Sequence, residues 1–221
     1  MNKRLFLFLL ACSAVSFAGQ LFVFPHLPEI IPVHWNMAGE ADSTAPRIMQ
    51  LVHAALPAVL SLFMYLIPRL DPRRKNYQSH TFAYGVCSIL IVFLILGFSW
   101  ATALVPLGFS IPLSRISPVA LGIMLVLLGN YMPQIRPTFL FGIRTPWTIS
   151  SETVWRKTHR LGGILYCAAG LLIFAGAFLP LPLPLYLGIP LFLLLVLIPV
   201  GYSYLQFRKQ PPAQGGAHAE D

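Results

Sequence analysis

The stretch GIRTPWTISSETVWRKTHRLGG, residues 142–163, gathers side chains able to do chemistry. Arg144, Arg156, Lys157 and Arg160 are cations, Glu152 is a carboxylate and His159 an imidazole. Trp147 and Trp155 add amphipathic aromatic surface. Ser150 is a candidate N-cap. A helix starting near Ser151 sets Glu152 in its first turn, where negative charge suits the helix dipole. On that helix Glu152, Trp155 and His159 stand at i, i+3 and i+7 and share a face. Arg156 follows Glu152 by four residues, the spacing of an ion pair. A carboxylate and an imidazole on one face suit acid–base work. Alternatively, Arg144, Glu152, Trp155 and His159 line a polar pocket. A third reading is an interfacial helix, anchored by Trp147 and Trp155, whose cations meet lipid phosphate. No nucleophile elbow, P-loop or metal-ligand spacing accompanies these residues, so the expectation is a non-enzymatic protein without a cofactor.

A second polar segment is PHLPEIIPVHWNMAGEADSTAP, residues 25–46. His26, His34, Glu40 and Asp42 are of metal-ligating types. Their spacing fits no standard template, so they are weak metal candidates and no bound metal is expected. Pro25, Pro28, Pro32 and Gly39 point to a shaped, turning loop that caps the protein. Trp35 suits a membrane–water boundary. His53 follows, about one and a half turns into the next apolar run. A histidine at that depth is a functional candidate, or a neutral group with a hydrogen-bond partner.

The elements that position these residues are apolar. The chain has 221 residues, 57% hydrophobic and only 10% charged, where soluble domains carry about a quarter charged residues. Six apolar runs cover residues 5–24, 48–67, 81–105, 116–131, 161–181 and 185–207, and none contains Asp, Glu, Lys or Arg. Runs of this length predict membrane-spanning helices. The fold expected is all-α, a polytopic helical bundle with six transmembrane helices. Residues 1–105 form an N-terminal half with the outer loop 25–46. Residues 106–210 form a C-terminal half with an inner loop at 131–160, and 211–221 form a flexible tail. Pro180, Pro182 and Pro184 predict a tight turn between the last two runs. Residues 1–20 also have the pattern of a cleavable signal peptide, but apolar character continues to residue 24, so an uncleaved first helix is expected.

Charge orients the bundle. With a cytoplasmic N-terminus, all of the 15 lysines and arginines except Arg47 and Arg115 fall on the cytoplasmic side. Both termini are then cytoplasmic. The net charge of +8 fits anionic lipid head groups. The longest basic tract is Arg73-Arg74-Lys75, so nucleic-acid binding is not expected. The three cysteines, Cys12, Cys87 and Cys167, lie in apolar runs without zinc or redox spacing and are read as packing residues. A charge-free bundle also disfavours a classical ion-driven carrier.

GNYMPQIRPTFLFGIRTPWTISSETVWRKTHRLGG, residues 129–163, resembles the signature of SdpI-family membrane proteins. IPVHWNMAGEAD, residues 31–42, resembles the outer-loop pattern of a domain of unknown function that often precedes it. Thr138 stands where that pattern has Asn. The matched positions are His34, Asn36 and Gly39 outside, and Gly142, Arg144, Pro146, Trp147, Glu152, Trp155 and His159 inside. The resemblance implies a six-helix protein of the bacterial inner membrane. It implies immunity to a secreted peptide toxin, and signalling through a repressor held at the cytoplasmic face. The ligand- or partner-binding candidates are Arg144, Trp147, Glu152, Trp155, His159, His34 and Asn36, together with His53 for its depth in the apolar run. Partners expected are membrane lipids, a peptide toxin outside and a repressor-type protein inside. The alternative functions are a lipid or small-molecule binding or transport protein, and a membrane-embedded hydrolase using Glu152 and His159.

Overall fold

A computed structural model describes residues 1–36, 38–179 and 183–210. The tail expected at 211–221, and residues 180–182 of the expected proline turn, lie outside the described residues. The chain is mostly helical. The apolar runs become α1 (Lys3–Val23), α2 (Met49–Leu70), α3 (Thr81–Leu104), α4 (Leu113–Tyr131), α6 (Glu152–Gly176) and α7 (Leu183–Arg208), with a short α5 (Pro146–Ser150) before α6. Among the described residues five helical segments are long and apolar enough to cross a membrane, all but α7 of the long helices. Prolines 57, 68, 118, 190 and 199 lie inside helices, as a bundle packed in lipid tolerates.

One expectation is corrected. The fold is not wholly α: the outer segment contains an antiparallel hairpin, β1 (Ile30–Trp35) with β2 (Ala41–Pro46). Ile30, Ile31, Val33 and Trp35 are β-branched or aromatic and favour a strand. Pro32 is tolerated because in a two-stranded sheet every strand is an edge. Ile31 is fully buried and pins the hairpin to the bundle. At the tip, Gly39 has φ +82°, and a Cβ there would lie 2.9 Å from the backbone nitrogen of Ser114 at the start of α4. Only glycine suits both the dihedral and the approach.

Two contacts hold the helices together. In the first, α4 and α6 run antiparallel with glycine against glycine. A Cβ on Gly129 would sit 2.6 Å from the Gly163 carbonyl oxygen, and one on Gly122 2.7 Å from that of Gly170. Small residues let backbones approach where lipid offers no hydrophobic drive for helix association. In the second, α1, α2 and α3 share a buried amide cluster near the hairpin. Gln50 donates to the Gln20 side-chain oxygen (2.6 Å) and to the Ser99 carbonyl (2.8 Å), and Gln20 donates to the Ser99 hydroxyl (3.0 Å). Such groups are costly in an apolar layer unless paired.

The bundle has two unlike ends. The hairpin, Arg47 and the start of α4 that carries Arg115 are at one. At the other, Met1 packs against a cluster of Ile67, Tyr77 and Tyr84, and Gln210 donates to the Ser151 hydroxyl. The described chain therefore begins and ends at the same end, where the 71–80 and 135–152 connections also meet.

Candidate functional site at the cationic end

Asp71 closes α2 and is 2% exposed. Its Oδ2 accepts from the backbone N–H of Phe139 (2.9 Å) and Leu140 (2.9 Å) and from the Tyr77 hydroxyl (3.1 Å). Its Oδ1 accepts from the Arg73 N–H at 2.8 Å. A buried carboxylate with four donors is a strong fastening, because charge-assisted hydrogen bonds exceed neutral ones. Around it, Asn76 donates to the Pro137 carbonyl (2.6 Å), the Arg136 N–H donates to His80 Nδ1 (3.2 Å), and Arg73 donates to the Ile149 carbonyl (3.1 Å). The Arg73 guanidinium also lies over the Phe139 ring, 4.7 Å from its centroid. The 71–80 connection is thus stitched to residues 136–149.

The motif residues form the second half of this knot. Trp155 and His159 are fully buried, with rings stacked 4.1 Å apart. Trp155 donates from its indole to the Ile135 carbonyl at 2.7 Å. His159 Nδ1 faces the Trp155 carbonyl (2.9 Å), and its Nε2 accepts from the Ile143 N–H (3.0 Å). A carbonyl only accepts, so the proton is on Nδ1 and Nε2 is bare; the ring is neutral with both nitrogens engaged. Gly142 explains how the loop comes so near. Its φ is +106°, and a Cβ would stand 2.6 Å from His159 Nε2 and 3.0 Å from the Trp155 ring.

The expected constellation of Arg144, Glu152, Trp155 and His159 does not form. Glu152 is exposed at the helix start, while His159 is buried two turns below it. No acid–base pair exists between them. Arg144 is exposed and donates to the Phe139 carbonyl at 2.7 Å, so it braces the loop. Glu152 pairs with Arg136 at 3.3 Å, not with the i+4 residue Arg156, because the preceding loop brings Arg136 over the helix N-terminus. The N-cap is Ser151, one residue after the position expected; Ser150 ends α5. Trp147 is half-buried against Tyr204 of α7, with centroids 5.1 Å apart. Thr145 opens α5 with a capping box to Thr148 and meets the Ser203 hydroxyl of α7 at 3.0 Å.

The outer candidates serve the hairpin. His34 Nδ1 lies 2.5 Å from Asp42, and both side chains are well exposed. Asn36 accepts from the Ala38 and Glu40 N–H groups and donates to the Glu40 carboxylate, which shapes the turn. His26 sits near Phe22 and takes no part in this network. Among the described residues no three His, Cys, Asp or Glu side chains converge as metal ligands, so His26, His34, Glu40 and Asp42 are not brought together as a site. His53 is half-buried, its Nδ1 has no hydrogen-bond partner, and no hydrogen bond joins it to His34.

Sequence reasoning missed Asp71, Asn76, His80 and Arg136. Asp71 carried one signal: a lone acid set between Arg69 and the cations Arg73, Arg74 and Lys75, soon after an apolar run. A cleft of about 450 Å³ opens beside this knot, lined by Arg73, Asn76, Ser79, Arg136, Ser150 and Glu152.

Comparison with known proteins covers both ends. Residues 134–203 match the SdpI/YfhL protein family, and residues 8–65 match a domain of unknown function (DUF1648). Over 178 residues the chain is 27% identical to the immunity protein SdpI of Bacillus subtilis (strain 168), across 80% of this chain and 83% of that protein. No solved structure matches.

Proposed function

The chain belongs to the SdpI family, and from that premise we propose that it is an immunity-type membrane protein that protects a bacterial cell from a membrane-active peptide. It is a multi-pass helical membrane protein. In the proposed arrangement six helices cross the cytoplasmic membrane, α7 being the sixth, and both termini are cytoplasmic. Two features support this: Met1 and Gln210 lie at one end, and the segments rich in arginine and lysine gather there. The hairpin then faces outward, where a peptide arrives. The cationic knot faces inward, where a repressor-type partner would dock if the protein also signals. The proposed action is non-enzymatic.

The observation that carries the reading is the similarity to an immunity protein along four-fifths of both chains. The test is a deletion strain challenged with membrane-active peptides. Survival falls on deletion and returns with the wild-type gene. Unchanged sensitivity in both the deletion strain and an overexpressing strain overturns it. Orientation is checked separately: a cysteine at Ser43 reacts with an impermeant thiol reagent in whole cells, and one at Ser150 reacts only after permeabilisation.

A further inference from the structure

The cleft beside the knot uses side chains that the immunity reading does not employ. It lies at the end of the bundle where the 71–80 and 135–152 connections meet. Arg73 reaches it from the 71–80 connection and Arg136 from the 132–145 connection. Arg73 is held in place by the Ile149 carbonyl and the Phe139 ring, which leaves other guanidinium N–H groups free to donate. Asn76, Ser79 and Ser150 add uncharged polar groups to the wall. Two guanidiniums from different segments, with an amide and the Ser79 hydroxyl, match the chemistry of a phosphate group, since the planar fork pairs with two phosphate oxygens at once.

Glu152 is the one acidic group in the wall. It holds Arg136 at 3.3 Å, but the two side chains are 51% and 60% exposed, and pairs that open exchange easily. An arriving phosphate takes the place of that carboxylate. Three residues after Ser79, Phe82 is 69% exposed and packs edge-on to Tyr131, 5.6 Å between centroids. An exposed aromatic ring at the start of α3 suits contact with an acyl chain.

We propose that this cleft binds the phosphate of an anionic phospholipid between Arg73 and Arg136, with Glu152 as the competing internal anion. The site stands whether or not the protein confers immunity.

The experiment uses the full chain in detergent, titrated with phosphatidylglycerol or phosphatidylcholine, with retained lipid read by native mass spectrometry. Phosphatidylglycerol is retained in preference to phosphatidylcholine. Arg136→Gln weakens that retention about tenfold, the loss of one charge-assisted contact. Glu152→Gln strengthens it several-fold by releasing Arg136. Arg115→Gln, the same charge change at the opposite end, leaves it unaltered. Opposite signs for two neighbouring substitutions are not produced by general damage, and Glu152→Gln keeps the test intact if Arg136→Gln fails to fold. Equal retention of the two lipids, or equal losses for Arg115→Gln and Arg136→Gln, overturns the proposal. Inorganic phosphate forms a second arm. Competition with phosphatidylglycerol supports one shared phosphate site. A melting shift with phosphate, and no selective lipid retention, overturns the lipid assignment in favour of a soluble phosphate.

Discussion

The hairpin end and the cationic end carry similar residue types and use them in opposite ways. At the hairpin end, His34 pairs with Asp42 and Asn36 with Glu40, all within one hairpin and largely exposed. At the cationic end, Asp71, His80, Trp155 and His159 are buried, and their partners are backbone groups 16 to 69 residues away, apart from the Trp155 carbonyl and, for Asp71, the nearby Arg73 N–H and Tyr77 hydroxyl. The hairpin motif shapes a local turn. The motif at the cationic end ties separate loops into one body. A histidine and a carboxylate in a motif are therefore not by themselves a reactive site; what decides their role is whether solvent still reaches them.

Four substitutions break or sharpen this contrast. Asp71→Leu removes the acceptor for three backbone N–H groups and one hydroxyl, so thermal unfolding in detergent shows a loss of about 3 kcal/mol or more, with orphaned donors as the cause. A loss under about 1 kcal/mol means that water replaces the carboxylate, and the knot is not fastened there. Gly142→Ala combines left-handed strain with a clash on His159 and costs about 2–3 kcal/mol. Trp155→Phe keeps the ring stack but leaves the Ile135 carbonyl without its donor, at about 1–2 kcal/mol. His34→Ala breaks an exposed pair and shifts stability by less than about 1 kcal/mol. If His34→Ala matches Gly142→Ala in the same melting assay, the contrast between the two ends fails.

Much of the frame was visible before any coordinates. The six apolar runs became the six long helices, and the segments assigned to one side by charge meet at one end. The Gly129–Gly163 and Gly122–Gly170 contacts are not legible in the sequence, because a seven-residue glycine spacing says nothing of which helix faces it. The sequence points to a shaped, turning loop and not to a hairpin, since three prolines and a glycine obscure a short run of strand formers. The pocket proposed for Arg144, Glu152, Trp155 and His159 came from helical spacing alone. Spacing places residues on a face, but the preceding loop covers that face at Trp155 and His159 and leaves Glu152 outside.

By itself the sequence determined the membrane class, the helices and the charge asymmetry between the two ends. These depend on composition and short-range periodicity, which act along the chain. Only the tertiary structure decided which polar groups are buried. It made Asp71 an anchor, His159 a neutral strut and Arg136 the partner of Glu152. Those roles arise from backbone N–H and carbonyl groups, which every residue carries and no side-chain pattern marks. They meet their partners only once the loops close over the helix ends.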